Sequence, residues 1–186
     1  MARIPAADRN SVPEEFRNAY DAVMDANNGR LSGPTSITIN SPEMASRRGA
    51  LTNYLRYEVQ FEKKYLELAI ITTARLMDCA YVWNAHAPAA RKEGISDQLI
   101  DALREKKTMP QISDEESVII AYATEFYTAH RITDNTFSKA LDLFGTQYLV
   151  ELTTLMGHYA QTAFILNAFE VEISADSTEP LSLIHI

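Results

Sequence analysis

Polar breaks divide the apolar positions of this chain into segments with helical periodicity. Ser11-Val12-Pro13-Glu14 combines a capping box with an early proline, which predicts a first helix running to about Asn27. The stretch 30–40, RLSGPTSITIN, is predicted as a loop with a short extended segment. Ser41-Pro42 then predicts the start of a second helix, and a third helix carries Glu67.

The middle of the chain continues the same helical pattern. Asp78 is predicted as the N-cap of a helix that ends at Gly94, and Ser96 as the cap of a short helix after it. Ser113 and the glutamate three residues later form a second capping box, which predicts a helix ending near His130. We expect the apolar residues of this last helix to face inward, among them Val118, Ile119, Tyr122 and Phe126.

The last third of the chain predicts two more helices. Thr133 is predicted to cap a short one, Gly145 to stop it, and a long apolar helix to follow over 147–172. The sequence shows neither alternation of strand length nor a repeat of 20 to 50 residues. We therefore predict an all-α, single-domain helical bundle of about six to eight helices over residues 1–173.

Residues 174–186 differ from the rest of the chain, because a polar stretch, SADSTEP, is followed abruptly by LSLIHI. We interpret this segment as a disordered or artefactual tail and exclude it from fold reasoning. The alternative is an apolar tail that docks on a neighbouring subunit. His185 is given no functional role.

The composition of the chain argues for one compact domain and against binding of nucleic acid or a membrane span. With 186 residues, of which 46% are hydrophobic and 23% charged, the chain suits one compact core. The formal net charge of −8 and the absence of clustered Lys and Arg argue against nucleic acid as a partner. Polar residues interrupt the longest apolar stretch, 148–169, so no membrane span is expected. One cysteine and the lack of an apolar leader favour the cytoplasm.

The candidate chemistry lies on the predicted third and fourth helices. Glu67 is flanked by apolar residues, so its carboxylate is expected to be buried and to need a partner. Cys79 is predicted in the first turn of the next helix, where the helix dipole favours a thiolate. His86 follows seven residues later, on the same face as Cys79, with Val82 and Trp83 between them.

Each of these side chains also has a structural interpretation. Glu67 is either a general acid or base, or a buried acid paired with an arginine such as Arg75 or Arg47. His86 is either a proton shuttle or a satisfied structural histidine. Cys79 is either a reactive thiolate or a small buried hydrophobe, and with no second thiol beside it packing is favoured.

The last long helix carries a polar stripe in an otherwise apolar segment. Its members recur at spacings of three, four and seven residues: Glu151, Thr154, His158 and Gln161 or Thr162. The stripe either lines a substrate pocket or relays protons through His158 and Tyr159, or else it forms a polar network between subunits.

Aromatic residues are candidates for the wall of a substrate pocket, namely Tyr57, Tyr81, Trp83 and Tyr159. Core packing is the commoner role of aromatic residues at helical spacing. No metal site is expected, since the sequence has no H-x-x-H, C-x-x-C or H-E-x-x-H spacing.

The spacing E-x11-C-x6-H, formed by Glu67, Cys79 and His86 and followed by P-x5-G, resembles a known family. It is similar to the core of the carboxymuconolactone decarboxylase and alkylhydroperoxidase D superfamily, over about residues 34–172. In the peroxidase branch the thiol belongs to a C-x-x-C pair, whereas here Val82 takes the place of the second cysteine. The decarboxylase branch keeps the glutamate and the histidine, and this chain has both.

The resemblance implies an AhpD-like helical fold and a cofactor-free enzyme that acts on a small organic acid or lactone, in the catabolism of aromatic compounds. If the reaction is decarboxylation, we expect His86 to be the proton donor and enolate stabiliser, Glu67 the carboxylate that orients and tunes it, and His158 a third group. The alternatives are a single-cysteine alkyl hydroperoxide reductase that uses Cys79 and an external thiol, and a non-catalytic ligand-binding protein. Relatives of this kind imply a homo-oligomer, a trimer or hexamer, with a dimer as the alternative.

Overall fold

The computed structural model describes residues 2–173 and 177–181. No β-strand occurs in these ranges, and the predicted all-α fold is confirmed. Predictions for 174–176 and 182–186, including the one for His185, lie outside the described residues. The α-helices of the described part are α1 (Arg17–Ala26), α2 (Pro34–Thr38), α3 (Pro42–Asn53), α4 (Lys63–Leu76), α5 (Ala80–Lys92), α6 (Asp97–Glu105), α7 (Asp114–Ala129) and α8 (Asp134–Ala168).

The chain folds into two compact units. The first unit comprises Met1–Val59 with Phe164–Glu172, and the second comprises Gln60–Ala163 with Ile173–Ile186. The single domain over residues 1–173 stays a prediction.

The first unit packs α1 against α3 around a small apolar core. Its first helix starts later than predicted: two 3-10 turns, Arg9–Ser11 and Glu14–Phe16, precede α1. Pro13 adopts φ −50° and ψ 144°, outside the helical region, and so separates the two turns. The Ser11 hydroxyl donates to the Asp8 carbonyl at 2.7 Å, so the predicted capping box does not form there.

The predicted extended segment in 30–40 is wrong, because α2 forms there instead. Gly33 has a positive φ of 53° and Pro34 occupies the first turn of α2, where its fixed φ favours a helix. Ile37 and Ile39 are both buried, so the β-branched residues of this stretch belong to the interior although no strand forms. The predicted second helix is present as α3, and it continues into a single π-helical turn, Tyr54–Glu58.

The second unit is centred on α4, which packs against α5, α6 and α7. Eight of the fourteen residues of α4 are buried, in keeping with its apolar sequence. The capping box at the start of α7 is confirmed: the Ser113 hydroxyl accepts from the Glu116 amide at 3.2 Å, and the Glu116 carboxylate accepts from the Ser113 amide at 3.0 Å. The prediction that Phe126 faces inward is wrong, since this side chain is 45% exposed.

Helix α8 contains the interruption that Gly145 predicts. Gly145 has φ 72° and ψ 171°, so it separates a short first segment from the long apolar one. The helix ends at Ala168 rather than at the predicted Glu172. Within the described part of the chain, no helix has the length and hydropathy needed to cross a membrane.

Candidate functional site

Glu67 and His86 form a close pair between α4 and α5. Glu67 Oε2 lies 2.7 Å from His86 Nδ1, and the two side chains are only 13% and 10% exposed. The residues on either side of Glu67 on α4 are buried, so its carboxylate is held where water has little access. The predicted convergence of an acid and an imidazole is therefore observed. The alternative partners of Glu67 are wrong, because Arg75 pairs with Asp78 and Arg47 with Glu43.

The start of α5 differs from its prediction, and this changes the chemistry of the thiol. Asp78 has a left-handed backbone, with φ 46°, and Cys79 rather than Asp78 is the N-cap. The Cys79 side chain is fully buried. Burial raises the pKa of the Cys79 thiol and outweighs the hydrogen bonds from the Val82 and Tyr81 amides, which lower it. The expected thiolate is thus disfavoured.

Tyr159 on α8 completes the polar contacts of His86. The Tyr159 hydroxyl lies 3.3 Å from His86 Nε2, and the two rings meet edge to face with centroids 5.1 Å apart. The His158 ring also meets the Tyr159 ring edge to face, with centroids 5.8 Å apart. All three rings are buried, Tyr159 being 5% exposed and His158 6%. The structure thus gathers Glu67, His86, Tyr159 and His158 into one cluster within the second unit.

The other predicted pocket residues have different surroundings. Trp83 is fully buried, and its Nε1 has no hydrogen-bond partner among the described residues. Tyr81 is half-buried, and burial raises the pKa of its phenol. Tyr57 is 65% exposed and belongs to the first unit, where Arg56 lies over its ring. The four aromatic residues therefore do not share one environment.

The polar stripe of the last helix is split between two faces. Glu151, His158 and Thr162 are buried, whereas Thr154 and Gln161 are exposed. The Thr162 hydroxyl donates to the His158 carbonyl at 2.8 Å, so it is satisfied within its own helix. His158, one member of the stripe, contacts the Tyr159 ring, and the Tyr159 hydroxyl in turn lies beside His86.

The direct contact between Tyr159 and His86 was not predicted, because 73 positions separate the two residues. The sequence placed His158 and Tyr159 next to each other in an apolar helix, which indicated a polar site. It did not indicate that His86 would be the partner of Tyr159. No group of three or more His, Cys, Asp and Glu residues in the described ranges is arranged to hold a metal ion.

Residues 177–181, which belong to the predicted tail, make contacts that their sequence does not predict. Glu179 is buried, and its carboxylate accepts from Arg91 Nε at 2.8 Å and from Arg104 Nη1 at 3.2 Å. The Glu179 amide donates to the Asn84 side chain at 3.2 Å. This segment therefore connects to α5 and α6 of the second unit.

Comparison with known proteins confirms the resemblance inferred from the motif. Residues 42–125, which include Glu67, Cys79 and His86, match the carboxymuconolactone decarboxylase family. No curated protein matches the sequence.

Solved structures share the fold at low sequence identity. An uncharacterized peroxidase-related protein from Silicibacter sp. TM1040 has a TM-score of 0.71 at 17% identity, covering 97% of this chain and 96% of that one. The alkylhydroperoxidase AhpD core of a Ralstonia eutropha JMP134 protein has a TM-score of 0.71 at 13% identity, covering 94% and 93%. The debrominase Bmp8 in complex with 2,3,4-tribromopyrrole has a TM-score of 0.68 at 12% identity, covering 92% and 91%. The AhpD-like helical fold is thereby confirmed.

Proposed function

We propose that this chain is a cofactor-free decarboxylase of the carboxymuconolactone decarboxylase and AhpD-like superfamily, and that it acts on a small organic acid or lactone. The observation that carries this proposal is the buried contact of 2.7 Å between Glu67 Oε2 and His86 Nδ1. A carboxylate and an imidazole in such contact form an acid–base pair, and neither a redox centre nor a second thiol is needed for it to act. We also propose a cytoplasmic location.

The chemistry of decarboxylation fits a pair of this kind. Loss of carbon dioxide leaves the bonding electrons on carbon, where a conjugated carbonyl delocalises them as an enolate. The site must then stabilise the enolate oxygen and deliver one proton to carbon. His86 holds that proton, and the Glu67 carboxylate accepts from Nδ1–H, which fixes the ring orientation and stabilises the imidazolium.

Replacement of the two partners tests the proposal. With carboxymuconolactone as substrate, we expect Glu67→Gln and His86→Asn each to lower kcat/KM by about 10²- to 10⁴-fold, the range of general acid–base catalysis. Release of carbon dioxide and the change in ultraviolet absorbance of the lactone are the measurements.

Two matched variants control for folding. His130→Asn changes an exposed histidine at a left-handed position, φ 57°, which asparagine tolerates. Glu62→Gln changes an exposed glutamate at the N-cap of α4, the helix of Glu67. Both should turn over substrate like the parent. Undiminished turnover in Glu67→Gln and His86→Asn together would overturn the assignment.

A single-cysteine alkyl hydroperoxide reductase is the second candidate. The position of Cys79 at the N-terminus of α5 is the observation behind it, although burial raises the pKa of the thiol by more than the hydrogen bonds from the Val82 and Tyr81 amides lower it. In this reaction the Cys79 thiolate attacks the terminal peroxide oxygen, an alcohol leaves, and a sulfenic acid forms. Two equivalents of an external thiol then reduce the sulfenic acid to the thiol and become a disulfide. Full burial of Cys79 opposes the attack.

Peroxide treatment separates the two candidates. We expect cumene hydroperoxide to leave Cys79 unmodified in the folded protein, as measured by trapping of sulfenic acid and mass spectrometry. Saturable peroxide consumption that needs an external thiol and disappears in Cys79→Ser would establish the reductase instead. A non-catalytic ligand-binding protein would be indicated if substrate bound without turnover and without oxidation of Cys79.

A further inference from the structure

A second set of polar groups lies on α5 and α6, away from the proposed acid–base pair. Asn84 and Arg91 are seven residues apart on α5, two helical turns, so they share one face of the helix. His86 follows Asn84 by two positions, which turns it by about 200° around the helix axis. Arg104 on α6 lies beside Arg91, since one oxygen of Asp101 accepts from both arginines. We call Asn84, Arg91 and Arg104 the α5–α6 surface.

Glu179 and its neighbours occupy the α5–α6 surface as a bound peptide would. The Glu179 carboxylate accepts from Arg91 Nε at 2.8 Å and from Arg104 Nη1 at 3.2 Å. Asn84 Oδ1 accepts from the Glu179 amide at 3.2 Å and from the Ser177 hydroxyl. The surface thus binds a carboxylate and the backbone amide of the same residue. That combination recognises a peptide and not a free inorganic anion.

Burial alternates along residues 177–181. Glu179 and Leu181 are 8% and 7% exposed, whereas Thr178 and Pro180 are exposed. Recognition of every second side chain is typical of a peptide that binds in an irregular or extended conformation. The contacts of this segment are therefore those of a short linear motif, with the glutamate at its centre.

The two arginines do not depend on Glu179 alone for a partner. Asp97 accepts from Arg91, and Asp101 accepts from Arg104. Withdrawal of the Glu179 carboxylate would expose Arg91 Nε and Arg104 Nη1, while the aspartates keep both guanidinium groups in place. A site whose donors stay oriented when it is empty pays less ordering entropy when a ligand binds.

We infer that the α5–α6 surface is a recognition site for an acidic peptide segment of a partner protein, and that residues 177–181 are its tethered ligand. A partner segment makes the same contacts if it has a hydroxyl residue two positions before a glutamate and an apolar residue two positions after it. It must displace the tethered segment, whose effective concentration is about millimolar. This inference concerns binding alone and does not rest on the proposed decarboxylase.

Glu179→Lys in the full-length chain tests the inference, because both arginines repel a lysine there and the surface is freed. The probe is an acetylated and amidated peptide with the sequence of residues 177–181, STEPL. It is titrated to about 10 mM, above the effective concentration of the tethered segment. Binding is followed through the Arg91 Nε–H resonance in nitrogen-15 NMR. We expect the peptide to bind this variant at least tenfold more tightly than it binds the parent.

Controls separate peptide recognition from general attraction between charges. The same peptide with glutamine in place of its glutamate should not bind, and acetate should bind at least tenfold more weakly than the peptide. Arg104→Gln, added to Glu179→Lys, should weaken binding at least tenfold, because the carboxylate loses one of its two donors. Glu93→Lys is the matched variant, since Glu93 is an exposed glutamate at the end of α5. It should bind the peptide no better than the parent does.

The parent protein provides a second measurement if Glu179→Lys does not fold. At about 10 mM the native peptide should speed hydrogen exchange of the Glu179 amide, because the displaced segment loses its Asn84 acceptor. The glutamine peptide should leave this exchange unchanged. The inference is overturned if folded Glu179→Lys binds no peptide, if the native and glutamine peptides bind equally, or if the native peptide leaves the exchange in the parent unchanged.

A second copy of this chain presents the same segment, and light scattering distinguishes that source. Parent, Glu179→Lys and Glu93→Lys should have equal masses if the surface serves a different protein. A lower mass for Glu179→Lys alone would assign the surface to segments exchanged between copies and would overturn the role of a separate partner.

Discussion

Cys79, the N-cap of α5, and His86 within this helix are seven residues apart, yet their surroundings differ in the polar groups that they offer. The imidazole meets a carboxylate and a phenol, both of which exchange hydrogen bonds with it. The thiol is fully buried, and burial raises its pKa. A residue's chemistry in this chain is therefore decided by the groups that face it, and not by its place in the motif.

The raised pKa of Cys79 makes a prediction about alkaline stability. The folded state holds the thiol proton more tightly than the unfolded chain does, so the protonated thiol contributes to the free energy of unfolding. This contribution is fully present below the pKa of an unfolded cysteine, about 8.5, and is lost as pH rises through the higher pKa of the folded state. The free energy of unfolding should fall by up to about 1.4 kcal/mol per pH unit in that window. Urea unfolding at several pH values measures this slope.

Cys79→Ala provides the comparison. Its free energy of unfolding should fall less steeply with pH, because only the titration of the tyrosines still contributes to the slope. Alkylation gives a second readout, because the chain has one cysteine. Iodoacetamide should label the folded protein far more slowly at pH 8 than the urea-unfolded chain. Equal labelling rates would contradict the assignment of Cys79 as a buried, protonated thiol.

At the scale of elements, α5 is held by contacts on more than one of its faces. His86 joins it to α4, while Asn84 and Arg91 join it to the segment 177–181. Leu181 in the same segment is 7% exposed. Residues 177–181 are thus connected to α5, the helix that carries His86, although their sequence pattern does not predict that they belong to the fold.

Glu179→Gln should destabilise the protein, because Arg91 and Arg104 each lose their most buried carboxylate partner and keep only aspartate partners that are more exposed. Loss of one partner of a fully buried pair costs about 3 to 5 kcal/mol, and partial exposure reduces this to about 1 to 3 kcal/mol. The arginine side chains here are 26% and 25% exposed. Thermal unfolding followed by circular dichroism measures the change.

Glu93→Gln is the matched control for this variant, because Glu93 is an exposed glutamate at the C-terminal end of α5. It should leave Tm within a degree or two. An unchanged Tm in Glu179→Gln would mean that the contacts of 177–181 contribute nothing to stability.

At the scale of the whole molecule, we expect association into a trimer or hexamer. Helix α8 exposes large apolar side chains before and after Gly145: Leu143 is 42% exposed and Val150 is 60% exposed. Light scattering coupled to size exclusion should give a mass of three or six chains, with a dimer as the alternative.

Val150→Asp should lower the measured mass if α8 takes part in the interface, since a charge there would be buried at the contact. Ser117→Asp, at an exposed polar position on α7, should leave the mass unchanged. A monomeric parent protein at micromolar concentration would contradict the expectation of an oligomer.

The sequence by itself determined the helical class, the capping box at Ser113 and the break at Gly145, whereas it left the partner of Glu67 open between His86 and an arginine. These features depend on short-range periodicity, on caps and on a turn that only a few residue types adopt. The superfamily motif likewise spans only 20 consecutive positions, from Glu67 to His86.

Only the tertiary structure decided the contact of Tyr159 with His86, the burial of Cys79 and the pairing of Glu179 with two arginines. Each of these features depends on residues that are far apart in sequence. The spacing of residues along the chain does not determine which distant side chain will pack against a given group. The start of α5 shows the same limit locally, because Asp78 has a left-handed backbone, Cys79 rather than Asp78 is the N-cap, and the thiol is buried. Burial and partner choice are properties of the packed fold, and they set the chemistry of the site.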